Sequence, residues 1–268
     1  MLCDFHTHLH DDPDYAEALA ETAQNLGFDK LCIGGGETRY GMASNEQVLA
    51  HSRTYPDLFV PFAFVRLGTD GAADVEDLGG AGFKGLRVCA PPAPYDAQGF
   101  FPVYEAAEAL GLPVLFHTGL VPVTPLDGAL DVRADRMRPV CFDTLARRFP
   151  KLKIVGSGLG GPWFEEAGAV LRLHQNVLFD LSGGALHRKG VEFYRTLLAA
   201  ETTSVLDESG KQDAWSRVLF GTAVRCDEIA SVERDYQRLF RSLALRAEVV
   251  EDIMGRNAQR LLGLAQVE

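Results

Sequence analysis

Residues 3 to 10 read Cys-Asp-Phe-His-Thr-His-Leu-His, a stretch that holds three of the chain's seven histidines together with an aspartate. In an extended strand successive side chains alternate between faces, so His6 and His8 share one face while Thr7 takes the other. Two neutral imidazoles at that spacing can chelate one divalent ion, zinc or one of its neighbours. The competing reading is a pair of strand-end histidines bonded to backbone. Burying both without a shared partner leaves donors unsatisfied, which weighs against it. A third imidazole, His117, closes the segment "PVLFHTG" at the end of another predicted strand. His10, just past the first strand in "LHDDPD", suits a helix cap better. His51, His174 and His187 fall in helix or loop segments and read as solvent-facing.

Such a site needs strands that deliver His6, His8 and His117 to one place. Short apolar or β-branched runs begin at Leu2, Lys30, Phe59, Phe83, Pro113, Lys153, Val177 and Arg217. Amphipathic stretches such as "DYAEALAETAQNLG" and "SVERDYQRLFRSLAL" lie between or after them. This alternation is the pattern of repeated β-α units around a parallel sheet. Eight units within 268 residues match the roughly 250 residues of a (β/α)8 barrel. The fold class is therefore α/β, a single (β/α)8 TIM barrel spanning 1–268, with active-site groups expected at the C-terminal ends of the strands. A doubly wound open sheet satisfies the same alternation, but the count of eight and the lack of a G-x-G-x-x-G turn argue against it. Two intervals are long. "LVPVTPLDGALDVRADRMRP", after the fifth strand, is expected over the barrel mouth, and "ETTSVLDESGKQDAWS", before the eighth, at the bottom face or outer ring.

Composition narrows the partners. The chain is 47% hydrophobic and 24% charged, ordinary for a globular protein, with 37 acidic against 26 basic residues and a formal net charge of −11. A field of that sign repels phosphate backbones and anionic membranes, so nucleic acid and lipid surfaces are excluded as expected partners. No run approaches the roughly 20 apolar residues of a membrane span. Five scattered cysteines, Cys3, Cys32, Cys89, Cys141 and Cys226, without a C-x-x-C pair, read as free thiols of a reducing compartment. A soluble, cytoplasmic protein is expected, with homo-oligomerisation left open.

Taken in order, "DFHTHLH", the histidine ending "PVLFHTG", "FPKLKIVGSGLGG", "VLFDLSG", "RVLFGTA" and "IMGRNAQRLLGL" resemble the amidohydrolase superfamily over essentially the whole chain. The branch resembled is the one that includes aminocarboxymuconate-semialdehyde decarboxylase, aromatic-acid decarboxylases and pyrone-dicarboxylate lactonase. The resemblance implies a metal-dependent hydrolase in which His6, His8 and His117 hold one divalent ion, zinc above all, and metal-activated water attacks a small lactone, amide or ester. It also exposes two departures. Where the family has the histidine of an "HLGG" motif this chain has Gly158, and where the family has an aspartate after "LFGT" this chain has Ala223. Both are proton-handling positions, each worth about 10²–10⁴-fold in rate. Asp180, in "FDLSG", is a weak substitute whose simpler role is to bond neighbouring loop amides. Cys226 and Asp227 could reach the metal only through a shifted loop. The alternatives are a non-hydrolytic decarboxylase relative, a non-catalytic ligand-binding barrel, or a deliberately inactivated or redesigned variant.

Four arginines follow predicted strand ends: Arg39, Arg66, Arg87 and Arg225. Guanidinium groups gathered at the mouth of an acidic barrel suit a small anionic, carboxylate-bearing substrate. Arg87 ranks first, then Arg66 and Arg225, against the alternative that each pairs with a local acid such as Asp70, Asp96 or Asp227. "CIGGGET" lacks the residues of a phosphate loop and reads as a strand end where backbones approach closely. In the Pro-rich "CAPPAPYDAQGF", Tyr95 and Phe100 are candidate pocket walls.

Overall fold

The β-branched and aromatic runs form strands at the expected places: β1 (Cys3–His8), β2 (Lys30–Gly34), β3 (Phe59–Phe64), β4 (Gly85–Val88), β5 (Val114–Phe116), β6 (Ile154–Gly156), β7 (Val177–Asp180) and β8 (Val218–Leu219). This is a computed structural model, and it describes residues 1–121, 123, 125, 131–183, 186, 188–198 and 214–264. The strands make one sheet in the order β1 to β8, each parallel to the next. Two backbone hydrogen bonds bring the last strand round to the first: Phe5 N–H donates to the Phe220 carbonyl at 2.9 Å, and Ala223 N–H to that of His6 at 2.7 Å. The result is the expected (β/α)8 barrel.

Helices follow the strands. Among the described residues they are α1 (Tyr15–Leu26), α2 (Asn45–Thr54), α3 (Ala72–Ala81), α4 (Phe101–Leu110), α5 (Cys141–Arg148), α6 (Phe164–Leu173), α7 (Val191–Leu198), α8 (Ile229–Leu243), α9 (Ala247–Glu251) and α10 (Asn257–Leu262). Their start and packing signals are local. Ser44 and Gln47 form a reciprocal capping box at the head of α2. Helix α8 buries Ile229, Val232, Tyr236, Leu239 and Phe240, a three-and-four spacing that turns one stripe to the barrel. No helix among the described residues is long and apolar enough to cross a membrane. Of the decoration expected before β8, 201–213 lie outside the described residues, and Ala214, Trp215 and Ser216 begin a 3-10 turn leading into the strand, with Ala214 and Trp215 buried, while 122, 124 and 126–130 of the segment expected over the mouth are also outside them.

Strand alternation separates two cores. Leu31, Ile33, Val114, Phe116, Ile154, Val177, Phe179 and Val218 pack under the helices. Cys32, Val60, Phe62, Leu115, Val155, Leu178 and Leu219 fill the barrel interior with Cys3 and Phe5, and Ala258 and Leu261 of α10 join this cluster. Phe5 and Phe62 meet edge to face at 5.2 Å there. Gly85 allows this filling, since a Cβ on it would lie 2.5 Å from the Phe62 ring.

Candidate active site at the barrel mouth

The same alternation decides which groups reach the lumen at the C-terminal ends. Leu86 and Val88 face the helices, so Arg87 between them faces inward. With Leu115 and Leu178 inside, His117 and Asp180, two residues further along, point inward too. β1 is less regular. Its register against β2 shifts between Asp4 and Thr7, so Phe5 belongs to the interior core while His6 and His8 still share a face, their ring centroids 5.0 Å apart.

His6 is buried and fixed. Its Nδ1 lies 2.8 Å from Asp180 Oδ2, and its backbone N–H donates to Asp4 Oδ1 at 3.0 Å. Asp4 is itself buried and ties β1 to the end of β8, accepting from Thr222 N at 3.1 Å and Thr222 Oγ1 at 2.6 Å. Burial pushes the Asp4 carboxyl up to about 6, although the bonds from Thr222 and His6 pull the other way. Asp180 is fully buried, and burial alone would raise it as well. The electrostatic and hydrogen-bond contact with His6, with bonds from Ser182 and Gly158, outweighs that and holds it below the usual carboxylate value.

The other two histidines stay neutral at pH 7. Burial first, and then the Arg87 charge, push His8 well below its ordinary value and His117 down to about 4. His8 Nδ1 is a buried nitrogen with no hydrogen-bond partner among the described residues. His117 Nε2 lies 3.2 Å from the Leu120 carbonyl. Arg87 is half-buried, its stem running past Gly34, where a Cβ would stand 3.3 Å from Arg87 Cδ. Its Nη1 donates to the Gly35 carbonyl at 2.9 Å, and no described carboxylate lies within ion-pair range of it. Burial lowers its pKa, opposed only by Cys89 and Tyr95.

The donor set has the chemistry of a divalent-ion site: imidazoles, one with a carboxylate on its far nitrogen and one whose buried nitrogen has no partner among the described residues. As they stand, no three His, Cys, Asp or Glu side chains among the described residues converge to hold an ion.

Other expectations are placed differently. The Arg66 guanidinium is 62% exposed and pairs with Asp70 at 3.4 Å. Arg66 also lines a cleft of about 410 Å³ with Glu46, Asn45 and Phe64, lined by none of the three histidines. Arg225 lies 5.0 Å over the Tyr15 ring, and His10 meets the same ring edge to face at 4.7 Å. The Arg39 side chain and His187 lie outside what is described. His51 is half-buried, and His174, read as solvent-facing, is only 10% exposed and bonds Asp143 at 2.7 Å. Tyr95 and Phe100 are core residues rather than pocket walls; Tyr95 Oη donates to the His117 carbonyl at 2.7 Å from beneath. Cys226 N–H bonds Tyr15 Oη and Asp227 is exposed, so neither comes to the histidines. Gly158 and Ala223 stand at the strand ends with positive φ, 60° and 53°.

The amidohydrolase family model (Amidohydro_2) matches residues 3–264, and the chain belongs to that family. No curated protein matches the chain. Among solved structures, an uncharacterised TIM-barrel protein from Bordetella bronchiseptica is similar at 20% identity, with 98% of each chain covered and a TM-score of 0.72. A probable 2-pyrone-4,6-dicarboxylic acid hydrolase from Acinetobacter baumannii, solved with citric acid bound, is similar at 14% identity, covering 98% of this chain and 99% of that one, TM-score 0.65. A 2,6-dihydroxybenzoate decarboxylase from Rhizobium is similar at 15% identity, 98% of each chain, TM-score 0.64. At these identities the likeness is one of fold, and hydrolases and decarboxylases share it.

Proposed function

We propose that this chain is a metal-dependent hydrolase of the amidohydrolase type, acting on a small lactone, amide or ester that carries a carboxylate. The observation that carries the reading is Arg87, an inward-facing guanidinium with no carboxylate partner among the described residues, set in the same mouth as the imidazoles of His6, His8 and His117. A cation withdrawn from water without a counter-ion is costly unless a ligand supplies one. A substrate carboxylate supplies it, as a charge-assisted and geometrically matched pair. His6, His8 and His117 would hold the ion, zinc by the character of imidazole donors, and the ion would supply Lewis-acid polarisation of the substrate carbonyl.

The chain's own residues then bind and orient. Arg87 fixes the carboxylate, and Asp180 fixes His6. Gly158 and Ala223 move no proton, so turnover is slow compared with a barrel carrying a histidine and an aspartate there. Those two positions favour a second reading, a barrel that binds a carboxylate ligand without turning it over or a decarboxylase relative. We infer a soluble, cytoplasmic protein whose partner is a small anion.

The test is calorimetric binding and turnover against a panel of carboxylate-bearing lactones, amides and aromatic acids. Hydrogen bonds to charged groups contribute about 1.5–3 kcal/mol, so Arg87→Met is expected to weaken binding by about 10–100-fold. Arg66→Met, whose head group is already on Asp70, should change it less than about threefold. Equal effects from both substitutions, or none from Arg87→Met, would overturn the assignment.

A further inference from the structure

Two strand ends of this barrel lack the family's proton-handling side chain, while a third carries a buried acid. We propose that Asp180 is the positioning carboxylate of this site: it fixes His6 as the Nδ1-protonated tautomer and leaves Nε2 as the lone-pair nitrogen, from the end of β7. The proposal bears on metal binding through the reading above, but the tautomer itself does not depend on it.

The division of labour between the two carboxylate oxygens is the first argument. Oδ1 accepts from Gly158 N at 2.7 Å, Ser182 N at 2.9 Å and Ser182 Oγ at 2.6 Å. Those three bonds suffice for an acid that merely shapes a turn. Oδ2 is committed to the imidazole, 2.8 Å from His6 Nδ1. A neutral ring whose Nδ1–H is held by a buried carboxylate presents Nε2 as an acceptor or ligand. Asp4 cannot do this, because its oxygens serve Thr222 and the His6 amide.

The surroundings are shaped around the pair. A Cβ at Gly221 would lie 2.9 Å from Asp180 Cβ, 3.0 Å from Asp180 Oδ2 and 3.0 Å from His6 Cβ, so any larger residue there would separate them. Tyr236 Oη, from α8, accepts from Leu181 N at 2.9 Å and Gly221 N at 3.3 Å and so pins the strand ends on either side. Gly158 delivers its N–H to Asp180 from a φ of 60°, and a Cβ there would stand 2.8 Å from the Ser182 carbonyl. The backbone that bonds Asp180 is thus one that a histidine at 158 adopts only under strain. The missing histidine and the buried acid are two parts of one arrangement.

Long-range ¹H–¹⁵N correlation of the imidazoles in uniformly labelled, metal-free protein near pH 7.5 reads the tautomer directly, with His6 assigned by its loss in His6→Gln. Wild type is expected to show His6 with Nδ1 protonated and Nε2 bare. In Asp180→Asn, Oδ1 must keep Gly158 and Ser182, so the amide NH₂ faces the ring and His6 should switch to the Nε2–H form. Zinc affinity should fall by about 10–100-fold in the same variant. A wild-type His6 that is Nε2-protonated or doubly protonated would overturn the proposal, as would a folded Asp180→Asn with an unchanged tautomer. If Asp180→Asn does not fold, the wild-type spectrum decides, supported by Ser182→Ala, which leaves Oδ2 alone and should keep the wild-type tautomer. If wild type takes up no zinc, the metal reading fails while the tautomer result still decides the role of Asp180.

Discussion

Gly158 and Ala223 look alike as departures from a motif, yet their backbones differ in what they would accept. Gly158 combines a φ of 60° with a Cβ position 2.8 Å from the Ser182 carbonyl. Left-handed backbone costs an L-residue about 1–2 kcal/mol, and the contact adds to that. Ala223 already places a Cβ at a φ of 53°, in a region where aspartate is among the more tolerated residues. Chemical denaturation should show Gly158→His destabilised by about 1–3 kcal/mol and Ala223→Asp by less than about 1 kcal/mol. A stable Gly158→His would mean that the loop after β6 rearranges freely. At this scale the sequence tells residue type and spacing, which singled out His6, His8 and His117 as candidates. It could not tell that Asp180 faces His6, 174 positions away, or that Arg87 turns inward alone while Arg66 rests on Asp70. Those facts depend on which strands become neighbours.

The strands were legible because period-two alternation and β-branched or aromatic runs survive in the sequence, and α8 was legible because its buried residues repeat every three to four. The shift in β1 was not, since an extra residue in a strand leaves no compositional mark. Nor was the brevity of β8, only Val218–Leu219. That short strand relies on outside help. Tyr236 Oη accepts from Leu181 N and Gly221 N and donates to the Gly221 carbonyl at 3.0 Å. Tyr236→Phe strands these buried backbone groups at a cost of about 1–3 kcal/mol, which for a chain of this size lowers the melting temperature by about 2–4 °C per kcal/mol. An unchanged melting temperature would show that β7 and β8 hold their ends without it.

Across the whole molecule, an acidic exterior encloses a mouth built from Arg87 and the imidazoles of His6, His8 and His117, so the net charge of −11 describes the surface rather than the site. Barrel, strand order and the location of the site at the C-terminal ends all follow from eight repeating units. Whether the histidines act together is a property of the assembled barrel, where His117 currently bonds the Leu120 carbonyl. Calorimetric zinc titration of chelator-treated protein measures that directly. Wild type is expected to take up about one zinc per chain, and His8→Gln and His117→Gln each to abolish saturable uptake. A wild-type chain that binds no divalent ion, or that binds zinc equally well without His8 and His117, would contradict the shared site.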